Sequence, residues 1–512
     1  MLDYNKSMRK EISVLLLAFL CLIVLPQTGH SQAKPIKRQP SALRRFQPTP
    51  PRLLQQRQQV ILETGRSPVI LKEQNITFTI GGPDGELKPL LGVNAGPAPS
   101  GEQDNSDVTA GYLDCGVNMV RTHDFYGPLD LSACYPDIKA DPLSPGSYDF
   151  SASDKTFKTI LDADIEPYMR LGDSYNNVRI PADEQQRGNL IRAGCEFIGH
   201  YQSGSEAGSG VRYVEIWNEP DNKQFWPAGF ETFLPYFAGA FTALKQQFPG
   251  IKAGGPGFAA AAYKVPQGRR NVELFLSYLK EHNINPDFLS FHLYSNDPAE
   301  YYDSGVFYRQ AAQNAGFSNC ELHMTEWNTD TRNENKAFRT GEKAAAYLTA
   351  AWIAMQQAGI DKAFFYRGTD TNINQPLFYG MFYANGKEKP AAKAFKLWKQ
   401  MSVCGSKHTV LTGITLLDSA PQVSGDLKPL WTLCGESSPG TLLLLISNIG
   451  TQTINYTLAA GDRPLPGVKV HELGADSEEI KTYTSDTPNL AIKSLTVQLI
   501  QIDLQTTAQN PG

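Results

Sequence analysis

Short apolar runs and longer amphipathic stretches alternate through the middle of the chain. Eight runs read as strands: PLLGVNAG (89–96), VNMVRTHDF (117–125), IEPYMRLG (165–172), VRYVEIWNEP (211–220), IKAGGPG (251–257), FLSFHLY (288–294), CELHMTEWN (320–328) and KAFFYRG (362–368). Stretches with helical apolar spacing lie between them, such as FETFLPYFAGAFTALKQQF (230–248) and KAAAYLTAAWIAMQQAG (343–359). Strands alternating with helices predict parallel βα units, and eight such units close a barrel. The expected fold is therefore an α/β chain with a (β/α)8 TIM barrel over residues 85–403. The alternative is an open doubly wound sheet, but no Gly-rich phosphate turn follows the first strand.

Beyond residue 403 the pattern changes to strand-like alternation, as in GTLLLLISNIG, TQTINYTLAA, VKVHELG and LAIKSLTVQLIQIDL, with turn residues between. This predicts an all-β sandwich over residues 404–508. QQVILET and NITFTIGG, within residues 58–84, are strand-like too and are expected to join that sheet.

The N-terminus follows neither pattern. Lys6, Arg9 and Lys10 precede the apolar run ISVLLLAFLCLIVL, and small residues Ser31 and Ala33 follow. Residues 1–33 read as a cleaved signal peptide, which predicts a secreted or periplasmic protein with no membrane span in the mature chain. A single membrane anchor is the alternative, but the run is short for a span. Residues 34–57 hold seven basic residues, five prolines and no acidic residue, and read as a flexible linker. Six cysteines remain after the leader: Cys115, Cys134, Cys195, Cys320, Cys404 and Cys434. Export permits disulfides, but six cysteines allow 15 pairings that sequence cannot choose among. No CxxC or His-rich spacing suggests a metal, and no cofactor is implied. Hydrophobic residues make up 41% and charged residues 19% of the chain, a globular composition. The net charge of −5 provides no basic field for nucleic acid.

In a parallel barrel, functional groups gather where strands end at their C-termini. The second strand ends in Arg121, Thr122 and His123, the fourth in Asn218 and Glu219, the sixth in His292, Leu293 and Tyr294. The seventh ends in Glu326, Trp327 and Asn328, the eighth in Tyr366 and Arg367. Strands four and seven face one another across the rim, so a sugar in the mouth can meet a carboxylate on each side. Two carboxylates on a polar, aromatic rim fit glycoside hydrolysis, in which one protonates the leaving oxygen and the other attacks or activates water. Trp226 and Trp327 offer faces on which a sugar can stack, and Trp327, Tyr366 and Arg367 join the expected substrate-binding residues. The bland alternatives are solvated loop carboxylates for Glu219 and Glu326, hydrogen-bonded structural histidines for His123 and His292, and packed rings for Trp226 and Trp327. Asp124 and Asp173 read as caps of the segments that follow. His323 lies three residues before Glu326, so alternation turns it to the other face and a structural role is expected.

WNEPDNKQFW and HMTEWNTD resemble the two signature segments of glycoside hydrolase family 39, a family of retaining glycosidases that includes β-xylosidases and α-L-iduronidases. VRTHDF, DFLSFHLY and GMFYANGKEKPAAKAFKLW are similar to that family as well, over about residues 85–402. The resemblance implies Glu219 as general acid/base and Glu326 as nucleophile. It implies that Asn218 bonds the sugar 2-hydroxyl, that Arg121, His292 and Tyr294 surround the nucleophile, and that His123 binds sugar hydroxyls. The sequence departs from the family after strand eight, where β-xylosidases tend to carry a Trp and further acidic residues. Here FFYRGTDTNINQPLF places Tyr366 and Arg367, and the arginine favours an acidic sugar or a different linkage, or is a structural ion-pair partner. The resemblance implies an oligosaccharide or polysaccharide substrate, a β-linked xyloside first. The alternatives are endo-acting hydrolysis of an exopolysaccharide, a uronic-acid glycosidase, and a non-catalytic sugar-binding barrel.

Overall fold

The structure, a computed structural model, describes residues 74–98, 106–123, 127–174, 178–203, 210–330, 336–341, 343–370, 379–416, 429–460, 463–465, 467–475 and 479–504. The expected signal peptide, the basic linker, the QQVILET segment and Asp124 lie outside the described residues.

Each of the eight apolar runs forms one barrel strand, the fifth reaching one residue past its run. These are β2 (Gly92–Asn94), β3 (Met119–Arg121), β4 (Glu166–Leu171), β5 (Tyr213–Ile216), β6 (Lys252–Phe258), β7 (Phe288–Tyr294), β8 (Glu321–Asn328) and β9 (Lys362–Phe365). Every neighbouring pair is parallel, and β9 returns to pair with β2, closing the barrel. The two amphipathic stretches form helices Phe230–Gln247 and Ala344–Ala358.

Strand alternation sorts the barrel interior into layers. The floor is aromatic, built from Met119, Tyr168, Tyr213, Phe288 and Phe364. One step towards the C-terminal ends, two residues on in Arg121, Glu215 and Ser290, the interior becomes polar and stays buried.

In β8 the alternation is interrupted. Phe291 of β7 pairs with Met324, but the next residue, His292, pairs with Glu326. On the other side Met324 pairs with Ala363 and Trp327 with Phe365. Thr325 is the extra residue against both neighbours, a β-bulge. The bulge corrects the expected placement of His323, which faces the interior, as Glu326 does. Its ring stacks on Phe288 with centroids 4.3 Å apart, Tyr168 Oη lies 2.9 Å from its Nδ1, and the Glu321 carboxylate lies 3.0 Å from its Nε2. Those contacts fit the structural role that the sequence suggested, in the barrel floor.

The all-β region is one hydrogen-bonded sheet of ten strands among the described residues. It takes in β1 (Gln74–Glu86), β10 (Ser406–Leu416), β11 (Leu430–Ser438), β12 (Thr441–Asn448), β13 (Ile454–Ala460), β14 (Arg463–Pro464), β15 (Val468–Leu473), β16 (Lys481–Ser485), β17 (Asn489–Ile492) and β18 (Thr496–Asp503). NITFTIGG falls in β1, which runs antiparallel to β10 and parallel to β13. β10 is the corner: it pairs with β1 along its length but with β11 only at Ser406–His408. Ile76, Phe78, Leu442, Leu444, Val470 and Ile500 belong to one buried core, so the sheet curls over itself into sandwich-like layers.

Alternate residues of β12 and β18, namely Leu443, Leu445, Val497 and Leu499, belong instead to the barrel's core. They pack towards helix Ala344–Ala358, and the Ser447 hydroxyl donates to the Ala346 carbonyl at 2.7 Å. That contact explains why the helix is apolar nearly all round. The six cysteines are free thiols, all buried. Among the described residues no helix is long and apolar enough to cross a membrane.

Candidate active site

β5 runs into the segment Trp217–Asn218–Glu219. Trp217 (φ 80°) and Glu219 (φ 46°) both take positive φ, a region that costs a residue with a Cβ about 1–3 kcal/mol. Local packing offsets this strain. The Trp217 indole donates to the Phe225 carbonyl at 3.0 Å and meets Trp226 and Tyr236 edge-on. The Glu219 N–H donates to the Gly257 carbonyl at 2.8 Å. Trp226 is buried among Phe233, Tyr236 and Trp217, which settles the packed alternative for that ring.

Opposite, the bulge aims Glu326 inward from β8. One of its oxygens accepts from Arg121 Nη1 at 2.8 Å, the other from the Tyr294 hydroxyl at 2.6 Å. His123 Nε2 and His292 Nδ1 each lie 3.5 Å from its oxygens. His292 Nδ1 also lies 2.8 Å from Glu219, whose second oxygen accepts from Asn222 Nδ2 at 3.0 Å. One carboxylate oxygen of Glu219, one of Glu326 and a His292 ring nitrogen all lie within 4.8 Å of one another. A cation could bridge such a triad, but its oxygens already accept from protein donors and Arg121 already supplies positive charge.

Arg121 organises the floor of the site. Its Nε donates to Glu215 at 2.6 Å, Nη1 also to Asn94 Oδ1 at 2.9 Å, and Nη2 to Asn218 Oδ1 at 2.8 Å. Burial opposes its charge, but Glu215 and Glu326 outweigh burial and keep the guanidinium protonated. Glu215 itself is pushed up by burial and pulled down further by Arg121, His292, Ser290 and Thr325, and ends below the ordinary carboxylate range. Burial holds the Glu219 carboxyl above that range, against the opposing pull of Asn222 and Arg121. Burial also lowers both histidines, His292 to about 4 and His123 well below the imidazole range with Arg170 and Arg121 adding to it, so both are neutral near pH 7. Burial and the Glu326 charge keep Tyr294 a phenol.

Most of the rim residues expected from the strand ends meet in this one cluster: Arg121, His123, Asn218, Glu219, His292, Tyr294 and Glu326. The Tyr366 ring borders it, with its centroid 6.3 Å from those of His123 and Tyr294. Arg367 is buried and close enough for its charge to lower His123. Trp327 is not brought to the site. The bulge leaves it facing outward, edge-on to Trp352 and Phe365 at 5.1 and 5.2 Å. Asn328 braces the rim by donating to the Tyr366 and Tyr379 carbonyls. Asp173 accepts the Arg179 N–H at 3.0 Å in the segment that follows, as expected of it, pairs with the Arg179 side chain, and also accepts the Ser132 N–H of an earlier helix at 2.8 Å.

Sequence reading missed Glu215, Asn94 and Asn222. Glu215 was within reach, because a carboxylate inside the apolar run VRYVEIW raises the same question of cost as Glu219. Asn94 ends the first barrel strand, whose polar residue was passed over, as was Arg170 near the end of the third. Asn222 sits in a loop and carried no periodic signal.

The family model for glycosyl hydrolases family 39 matches residues 94–401. Among solved structures, a glucosidase from Croceicoccus marinus is similar at 22% identity and a TM-score of 0.67, covering 84% of this chain and 98% of that one. A monomeric beta-xylosidase from Caulobacter crescentus CB15 is similar at 15% identity and a TM-score of 0.63, over 84% of this chain and 99% of that one. A family 39 glycoside hydrolase from the gut symbiont Bacteroides cellulosilyticus WH2 matches at 14% identity and a TM-score of 0.57, over 81% of each chain. These likenesses speak for a shared fold. The family match spans more than half of the chain, from Asn94 at the end of the first barrel strand to Met401 at the end of the last helix, and this chain belongs to glycosyl hydrolases family 39.

Proposed function

We propose that the chain is an exported, retaining glycosidase that cleaves a β-linked xyloside or related oligosaccharide, with Glu219 as acid/base and Glu326 as nucleophile. Family membership makes it a glycosidase acting on carbohydrate. The observation that carries the mechanism is the pairing of two differently held carboxyls with oxygens within 4.8 Å. Retaining enzymes hold their carboxyls about 5–5.5 Å apart and inverting ones about 6.5–9.5 Å.

In the first step the Glu219 carboxyl gives its proton to the glycosidic oxygen. A Glu326 oxygen attacks the anomeric carbon, the C–O bond breaks, and a glycosyl ester forms on Glu326. Glu219 then takes a proton from water, whose oxygen attacks the same carbon and releases Glu326. Burial that raises Glu219 suits a group that must carry a proton before it gives it away. The two donors on Glu326, Arg121 and Tyr294, fix its oxygens for attack. Arg121 occupies the Asn218 carbonyl oxygen, which orients the amide NH2 as the donor to a sugar hydroxyl.

Azide separates the two roles. Glu219→Ala should retain activity on aryl glycosides with good leaving groups, and azide should rescue it to a glycosyl azide of unchanged configuration. Glu326→Ala should lose the covalent intermediate and give, if anything, an azide of inverted configuration. Labelling of the wild type by a 2-fluoro sugar at Glu219 instead of Glu326 would overturn the assignment. Export is tested by sequencing the N-terminus of protein from the native host. A start near Gln32 or Lys34 is expected, and an intact Met1 on membrane-retained protein would count against it.

A second reading, a uronic-acid glycosidase, draws on Arg367, which is buried and close enough for its charge to lower His123, whereas Arg170 is already paired with Asp130. If Arg367 reads a carboxylate, Arg367→Ala should cost uronide turnover on the order of 2 kcal/mol more than xyloside turnover. Equal losses on both substrates would leave Arg367 as a structural residue.

A further inference from the structure

The sheet module carries a cleft of about 810 Å³ that contributes nothing to the site in the barrel. It opens between two strand pairs. Asn455 and Thr457 on β13 and Asn489 on β17 form one wall, and Glu472 on β15 and Tyr483 on β16 form the other. Lys493 stands at the rim.

The cleft is braced from below by Gln498 of β18, a fully buried amide. It donates to Glu472 at 2.6 Å and to the Ala491 carbonyl at 2.9 Å, and it accepts from the Tyr456 hydroxyl at 2.5 Å. The two walls are thus tied to one rigid floor. Thr457 donates to Asn489 Oδ1 at 2.7 Å, which orients that amide with its NH2 available for donation. Tyr483 is 39% exposed, and it is the single aromatic ring among the large hydrophobic side chains exposed in the described residues. It lies on the wall of this cleft and not on a featureless surface.

These side chains define the ligand. One lysine and one glutamate leave the cleft near neutral, so it has no field for a polyanion. Amides, a hydroxyl and a carboxylate along the walls are hydrogen-bonding groups, poorly matched to an apolar peptide. An aromatic face beside such groups suits a pyranose, which has an apolar C–H face and a ring of hydroxyls. The volume lies within the range of small-molecule sites. We propose that the sheet module holds a second carbohydrate-binding cleft, which grips a neutral polysaccharide chain while the barrel cleaves it. This inference rests on the proposed glycosidase reading.

The test uses the full chain carrying Glu326→Ala, so that no substrate is consumed, in affinity gels cast with soluble xylan, mixed-linkage β-glucan or galactomannan. Retardation is expected in at least one gel. Adding Tyr483→Ala and Asn455→Ala should weaken it about tenfold, the order expected from losing a stacking face and a hydrogen bond. Tyr483→Trp should preserve it. In the otherwise native chain, the Tyr483→Ala and Asn455→Ala pair should leave kcat/KM on an aryl glycoside unchanged, which also shows that the protein is folded. Retardation that is identical with and without the two substitutions, or absent in every gel, would sink the proposal. If the native chain hydrolyses no aryl glycoside but the pair still abolishes retardation, the catalytic reading fails and the cleft stands.

Discussion

At the scale of single residues, Arg121 does most to define the site. Its guanidinium reaches Glu215, Asn94, Glu326 and Asn218 from one planar group, which a lysine could not do. Glu215 supplies the second negative charge beside it and is itself fully buried. Removing one member of a buried pair leaves a charge without compensation and costs about 3–5 kcal/mol. Glu215→Ala should therefore lower the unfolding free energy by that order in denaturant melts, and a loss below about 1 kcal/mol would mean that Arg121 is held by its other partners. Asn222 acts on the opposite carboxyl. Its Nδ2–H bonds the charged form of Glu219 and so lowers that pKa against burial. Asn222→Ala removes the lowering contribution, the carboxyl holds its proton to higher pH, and the alkaline limb of kcat/KM should move upward. The other groups around Glu219 are His292, neutral near pH 7, Arg121, which stays charged, and Asp221, which burial pushes up to about 7. A limb that stays put or moves down would assign it to a group such as Asp221.

At the scale of elements, the strands were readable and their regularity misled. Short continuous apolar runs locate the strands and their polar ends locate the rim, because barrel strands are buried on both faces, and period-2 alternation then assigns the faces within each strand. The same rule failed in β8, where the Thr325 bulge turns His323 and Glu326 to one face and sends Trp327 outward. Nothing in HMTEWN marks a bulge, since its cause lies in the pairing with β7 and β9 and not in local propensity. The bulge yields a prediction. Deleting Thr325 removes the extra residue and leaves Glu326 two positions after His323, still inward and opposite His292, so hydrolysis should persist in any protein that remains soluble. Thr325→Val keeps the extra residue and loses only a hydroxyl near Glu215, so it should retain measurable turnover and cost about 1 kcal/mol of stability. Lost activity in a soluble deletion would show that the extra residue itself, and not only the register with His292, sets the position of Glu326.

At the scale of the whole molecule, the sheet module completes the barrel's outer layer. The strand before the barrel, β1, pairs with β10 after it, so the chain enters and leaves the barrel through the same sheet. The composition shift near residue 403 revealed the module. That its second face covers helix Ala344–Ala358 could not be read from sequence, because a helix apolar on every side says that it is covered and not by what. The helix buries Leu348, Trp352 and Ile353, and the sheet residues packed on that side, Leu443, Leu445 and Leu499, are buried as well. Ending the chain after Val403 would remove that cover and strip β1 of both its strand partners, β10 and β13. The truncated protein should be insoluble or melt well below the full chain, although it keeps every residue of the candidate site. A smaller change separates packing from mere presence. Leu445→Ala, at a fully buried position on the barrel side of β12, should cost about 2–5 kcal/mol and lower the single melting transition of barrel and sheet together. If the sheet instead melted first and left an active barrel, the two would be independent units joined by a chain, and the module would be dispensable for folding the site.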